Sequence, residues 1–232
     1  MVSAVWLGAA ALSAHAEPVQ RQFIFSQTVK TRANDCAERS LRKAYGELGQ
    51  EIDFKFSPSK RALFESNAGI TDGEVARIKG IEESYPNLIR IDVALCRPKQ
   101  YLVSRMPLDI DNKANLKQYR IGFRSGTAAH RQYIEQNEVP RTVGVHSDTS
   151  LKKLLELDRI DFMIISMWGL KRIYTDSEIE KLYFYEHLSF EIELFHYLNK
   201  KHEAFSPVIT KKLKELEASG FIDKAIAEHF ND

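Results

Sequence analysis

Residues 66–78 read SNAGITDGEVARI. Two glycines, Gly69 and Gly73, bracket Ile70, Thr71 and Asp72, and Glu74 and Arg77 follow three residues apart. Glycine lets the backbone take positive φ or approach another group closely, so the stretch reads as a helix end, a tight connection and a very short strand. Upstream, QFIFSQ (22–27) reads as a strand. Ala37, Leu41, Ala44, Tyr45 and Leu48 form one stripe of a 3.6-residue period, which predicts a helix over 34–48. Asn34 or Asp35 can cap its start and Gly49 can end it in a left-handed turn. EIDFKF (51–56) alternates, with Ile52, Phe54 and Phe56 on one face, and Pro58 stops this second strand before a short helix over 60–67. Strand, helix, strand, helix argues for a parallel α/β layer. In such layers the ligand groove lies beyond the carboxyl ends of the strands. Asp72, Glu74 and Arg77 are therefore expected near a groove mouth.

Downstream, LIRIDVAL (88–95) and QYLVS (100–104) read as strands, and the polar stretch DIDNKANLKQ after Pro107 shifts composition toward a linker. A second α/β unit follows. YRIGF (119–123) is a strand, 124–127 a turn, 128–136 a helix and 140–145 a strand. Ser147 or Asp148 caps a helix through Leu157, and DFMIIS (161–166) is a buried strand. Residues 190–198 alternate apolar and polar and are expected as one strand. A helix opening at Ser206 and Pro207 and ending at Gly220, then a short closing helix over 221–230, complete the chain.

The 232 residues balance 33 Lys+Arg against 32 Asp+Glu, which disfavours a phosphate-neutralising nucleic-acid surface. The opening MVSAVWLGAAALSAHA carries no acidic or basic side chain other than His15, and its apolar run is too short to span a bilayer. Ala14, His15 and Ala16 have the small-x-small form of a cleavage site. Residues 1–16 are thus expected to be a signal peptide, leaving an exported, periplasmic chain that is not embedded in a membrane. Two cysteines, Cys36 and Cys96, are permitted a bridge in that compartment; two separate core thiols are the alternative.

The ordered stretches AYGELGQEIDFKF, RALFESNAGITDGEVARI, YPNLIRIDV, YRIGFRSGT, LLELDRIDFMII and KKHEAFSPVITKKLKELEASG resemble a family-3 extracellular solute-binding protein, the class of the periplasmic amino-acid-binding proteins. The resemblance implies an α/β fold of two lobes, each a mostly parallel sheet flanked by helices, joined by two crossover segments with a ligand closed between them. Lobe 1 would take residues 17–104 and 186–232, lobe 2 residues 105–185. It further implies that Arg77 clamps a ligand carboxylate, a role suited to the two parallel N–H donors of a guanidinium. The Thr-x-x-Arg spacing usual in the family is replaced here by Asp72, Gly73, Glu74 and then Arg77. The plainer reading is an i,i+3 surface pair of Glu74 and Arg77. Ser125, Gly126 and Thr127 stand at a strand-to-helix turn that the family uses for the same carboxylate, where free N–H groups favour an anion; an ordinary helix cap is the alternative. Ser166 occupies the position at which amino-acid binders carry an acid for the ligand ammonium, which puts an α-amino acid in doubt. Trp168 can line the cleft or pack as core.

Asp72 and Glu74 would also serve as a general acid/base pair, but no nucleophile with an attached base accompanies them and no G-x-S-x-G occurs. His130, His146, His187 and His196 lack metal-ligand spacing and read as surface or capping residues, so neither metal nor cofactor is expected. The expectation is a monomeric, non-enzymatic module that captures a small polar, carboxylate-bearing solute for a transporter (the substrate-binding role of an ABC system) or a sensor. An exported enzyme on the same fold, or a degenerate interaction module, are the alternatives.

Overall fold

A computed structural model describes residues 22–28 and 32–230, with the side chains of 32–35 and 228–230 left aside. The expected leader, residues 1–16, lies outside the described residues, as does Glu17. The chain builds two sheets. The first has the order β2-β1-β3-β11-β4 from β1 (Gln22–Gln27), β2 (Glu51–Phe56), β3 (Gly73–Arg77), β4 (Leu88–Cys96) and β11 (Leu194–Asn199). The second has the order β10-β5-β8-β6-β7, from β5 (Lys99–Ser104), β6 (Ile121–Arg124), β7 (Thr142–Val145), β8 (Phe162–Ser166) and β10 (Phe190–Glu191), with β9 (Tyr183–Phe184) beside β5. β1, β2 and β3 run parallel and β11 lies antiparallel between β3 and β4, while β6 runs parallel to β7 and β8. This is the two-lobe, mixed-sheet fold that the resemblance implied.

Periodicity decides which helix covers which face. The helices α1 (Arg32–Glu47), α7 (Ser206–Ala218) and α8 (Phe221–Phe230) bury Leu41, Ala44, Leu213 and Ile222 against Phe23, Phe25 and Val75. α2 (Ser59–Asn67) takes the other face, its Leu63 packed near Phe195 and Tyr197. In the second sheet, Phe162 and Ile164 of β8 face α3 (Ala128–Gln136), and Met163 and Ile165 face α4 (Asp148–Glu156) and α5 (Met167–Ile173). Two-residue alternation along β8 thus seals both faces of one strand. Cys36 and Cys96 are bridged with Cα atoms 6.0 Å apart, tying α1 to the end of β4.

Four expectations need correction. The boundary after residue 104 assigned β5 to the first lobe, but β5 pairs with β8, Gln100 opposite Ser166, so the chain changes sheet at Arg97 and Pro98. The return at 186 is late by the same logic, since β10 still pairs with β5 and only β11 rejoins β3 and β4. The single strand expected over 190–198 is therefore two, split at Ile192 and Glu193, because its halves bond to different sheets. Helix α1 starts at Arg32, ahead of the expected caps. Two short helices, α5 and α6 (Asp176–Ile179), and β9 were not anticipated; each is too short to show a period.

Candidate functional site

The carboxyl ends of β1, β2, β3 and β4 share one edge of the first sheet, and those of β6, β7 and β8 share one edge of the second. Both crossovers, at Arg97 and Pro98 and at Ile192 and Glu193, join these two edges. A cleft of about 270 Å³ lies there, between Ile78 and Lys79 on one side and Ala129 and Tyr133 of α3 on the other, with Phe190 and Glu193 at its back. Among the described residues, five buried side-chain atoms have no hydrogen-bond partner: Gln27 Oε1, Arg90 Nε, Arg124 Nε, His130 Nδ1 and Tyr174 Oη. Three of the five stand at the joined edges: Gln27 ends β1, Arg124 ends β6 and His130 is in the first turn of α3. Buried polar atoms are normally satisfied by protein or by ordered water; these three belong to both lobes, and none of their residues lines the cleft itself.

On the first lobe, Asp72, Glu74 and Arg77 are brought together on β3 and its entry, yet each is held by the protein. Strand β3 carries one more residue than β11 between its pairings, since Glu74 opposes Tyr197 and Arg77 opposes Phe195. That bulge puts residues three apart on one face, where strict alternation would separate them. Arg77 Nε donates to Glu74 Oε2 at 2.7 Å and Nη1 to Ser59 Oγ at 2.9 Å, while Glu74 Oε1 accepts from Ser66 Oγ at 2.7 Å. The surface-pair alternative has the right partners in the wrong medium, because Glu74 is fully buried and the Arg77 side chain is 12% exposed. Burial pushes the Glu74 carboxyl up, against the pull of Arg77 and Ser66. Burial pushes the Asp72 pKa up, but the Ile24 N–H at 2.7 Å, His202 and Lys201 outweigh that and hold it low. Gly73 sits at φ 155, where an added Cβ would lie 1.9 Å from the Tyr197 carbonyl oxygen, so the quoted glycine serves strand approach.

On the second lobe the expected turn is present. Ser125 N–H donates to Val145 O at 2.9 Å and Thr127 N–H to Arg124 O at 3.0 Å, so two of its three amides are already engaged. Gly126 is exposed, and the first amides of α3 lack intrahelical acceptors by geometry. Ser166 caps α5, its Oγ accepting the Gly169 N–H at 3.1 Å. Trp168 is half-buried, with the Arg172 guanidinium 4.7 Å over its ring. The groups sequence reasoning missed are Arg124, Asp148 and Arg172. Arg124 Nε lies 3.7 Å from Asp148 Oδ1, and Arg172 Nη1 lies 3.9 Å from Asp148 Oδ2. No motif flags them, because they come from β6, α4 and α5. His130 and His196, expected at the surface, are buried. His130 Nε2 bonds Gln100 Oε1 at 2.9 Å, and burial, with Arg124 nearby, pushes its pKa down to about 3. His196 links Tyr45 Oη to the Glu74 carbonyl, and burial pushes it down to about 4. Among the described residues no group of three or more His, Cys, Asp or Glu is placed to hold a metal ion, and no helix is long and apolar enough to cross a membrane.

No protein-family model matches the chain, and neither does a curated protein sequence. Solved structures match its fold closely. An ancestral arginine-binding protein bound to glutamine aligns with a TM-score of 0.65 at 13% identity, covering 91% of this chain and 98% of that one. An amino-acid ABC transporter substrate-binding protein from Streptococcus pneumoniae, bound to L-arginine, gives 0.64 at 13%, with 90% and 94% covered. A histidine kinase sensor domain with similarity to periplasmic binding proteins gives 0.66 at 10%, with 90% and 96% covered. The fold is therefore the two-lobe periplasmic-binding fold over almost the whole chain.

Proposed function

We propose that the chain is an exported solute-binding protein. Its leader, residues 1–16, directs it to the periplasm, and it captures a small polar, anionic solute between its lobes as a monomer, for a membrane transporter or a sensor. The carrying observation is the cleft of about 270 Å³ at the two edges that the crossovers join, lined by Ile78 and Lys79 from the first lobe and by Ala129 and Tyr133 from the second. A guest reaching both lobes would favour the closed state by its differential contacts. The neighbours in fold are binding proteins and a sensor domain, which supports capture over catalysis. The turn at Ser125, Gly126 and Thr127, with Trp168, forms the second lobe's wall in this reading. Arg77 contributes from the first lobe only by what it leaves free beside Glu74 and Ser59. The Cys36–Cys96 bridge suits an oxidising compartment.

Small-angle scattering of the full chain tests this against a panel of amino acids, dicarboxylates and sugar acids, guided by mass spectrometry of small molecules that survive purification. A bound solute should reduce the radius of gyration and raise the melting temperature together. A chain that neither contracts nor gains stability with any co-purified compound is not a solute-binding protein.

A further inference from the structure

The strongest unassigned feature is the trio Arg124, Asp148 and Arg172 on the α4/α5 side of the second lobe's carboxyl edge. Ile121 of β6 belongs to the α3-side core, and two-residue alternation puts Arg124, three residues on, on the opposite face. Asp148, in the first turn of α4, is 8% exposed, with one oxygen turned to each guanidinium. Neither approach is a hydrogen bond, at 3.7 and 3.9 Å, and Arg124 Nε is buried without a partner. The side chains of Arg124 and Arg172 are 40% and 52% exposed, and among the described residues their donors meet no hydrogen-bond acceptor, the Arg172 guanidinium lying 4.7 Å over the Trp168 ring. Around them the field stays positive. Arg131 Nη2 donates to Ser125 O at 3.1 Å, and the amino end of α3 adds about half a charge.

Resting on the solute-binding reading, we infer that the guest's charge is read by the second lobe, with Arg124 and Arg172 gripping a doubly charged anionic group such as a phosphate monoester or a dicarboxylate. The charges decide between one and two. Asp148 cancels one of the two guanidiniums, and the helix end with Arg131 restores more than one positive charge, so a single carboxylate leaves the site positive. The carboxylates of the first edge are committed, Glu74 to Ser66 and Arg77 and Glu38 to Gln27, and Ser166 caps a helix. Arginine suits the task because its fork matches a phosphate or carboxylate in two bonds at once.

The test follows the Arg124 Nε–Hε resonance of the full chain at pH 7.5 while inorganic phosphate, succinate or glycine is added. Phosphate and succinate should each shift it saturably and glycine should not; the stronger of the two identifies the class. Arg172→Gln should weaken the response about tenfold, the scale of one lost charge-assisted contact. Asp148→Asn should strengthen it, a direction that a merely structural carboxylate would not produce. Absence of saturation by both dianions, an equal response to glycine, or indifference to Arg172→Gln overturns the inference. Scattering separates the two levels. Lobe closure around a solute with the Arg124 signal unmoved sinks this assignment alone. Saturation at Arg124 with no closure by any solute sinks the capture reading and leaves the anion site.

Discussion

Replacing Arg77 with Met asks whether the Glu74–Arg77 pair holds the first lobe together. In the native chain Glu74 is fully buried and shares its charge with Arg77 and the Ser66 hydroxyl. Without the guanidinium the carboxylate has only Ser66, and breaking a buried pair from one side costs about 3–5 kcal/mol. The carboxyl can escape by taking a proton. Holding a group of ordinary pKa about 4.3 neutral at pH 7.5 costs about 4 kcal/mol, at 1.36 kcal/mol per unit. Both routes therefore give about 4 kcal/mol at pH 7.5, roughly 10 °C in melting temperature for a chain this long. At pH 5 the protonation route costs only about 1 kcal/mol. The sign agrees with the native group. A carboxyl whose folded pKa is raised contributes stability that is present below its unfolded value and lost as pH rises through its folded one. The Met variant widens that window upward. Urea midpoints of both chains at the two pH values, read by circular dichroism, measure the difference. A deficit below about 1 kcal/mol at pH 7.5, or one that is the same at pH 5, would refute the buried-charge reasoning. The double variant Glu74→Met/Arg77→Met should recover most of the loss, since an apolar pair of similar volume commonly replaces a buried ion pair without penalty. That rescued chain also separates architecture from binding, because it folds without the clamp.

Asp72→Asn should destabilise the chain above about pH 5 and lose its effect in acid, since a carboxyl held low contributes stability that disappears as pH falls through its folded pKa; a urea series from pH 3 to 7 reads it. Gly73→Ala should cost more than about 3 kcal/mol or prevent folding, because a Cβ 1.9 Å from the Tyr197 carbonyl must break the β3–β11 pairing; thermal melts and soluble yield report it. Cys36→Ser/Cys96→Ser opens a loop of sequence separation 60 and should cost about 4 kcal/mol on the chain-entropy account, measured against the oxidised chain in urea.

Most of the fold was legible because most elements are long enough to show a period. The stripe at Ala37, Leu41 and Tyr45 and the alternation Ile52, Phe54 specify α1 and β2 locally. Strand membership was not legible at the crossovers. Nothing in QYLVS says that Gln100 will face Ser166 and not a strand of the first sheet, since pairing is settled by residues sixty positions away. The site was read in halves. Gly73 and Arg77 announced a special strand, but the bulge that seats Arg77 beside Glu74 depends on the β11 register, which a single strand does not encode. Arg124, Asp148 and Arg172 come from three elements and meet only in the folded lobe.

The two edges differ in how their polar groups are spent, and under the proposed solute-binding reading this would set the order of events on binding. On the first, Glu74, Arg77, Ser59 and Ser66 close on one another, and Asp72 closes on Ile24, His202 and Lys201. A solute recruiting Arg77 through Nε or Nη1 would have to break bonds at 2.7 and 2.9 Å that already satisfy a buried carboxylate and a hydroxyl. On the second, Arg124 and Arg172 stand beyond hydrogen-bond reach of Asp148, so a guest would gain bonds to them without breaking one. A solute should therefore settle first on the second lobe, and the first lobe should close over it with groups that need no rearrangement, such as Gln27 Oε1. On that reading affinity would depend on the guanidiniums, and closure on the fit of the remainder of the solute against an edge whose own charges are already balanced.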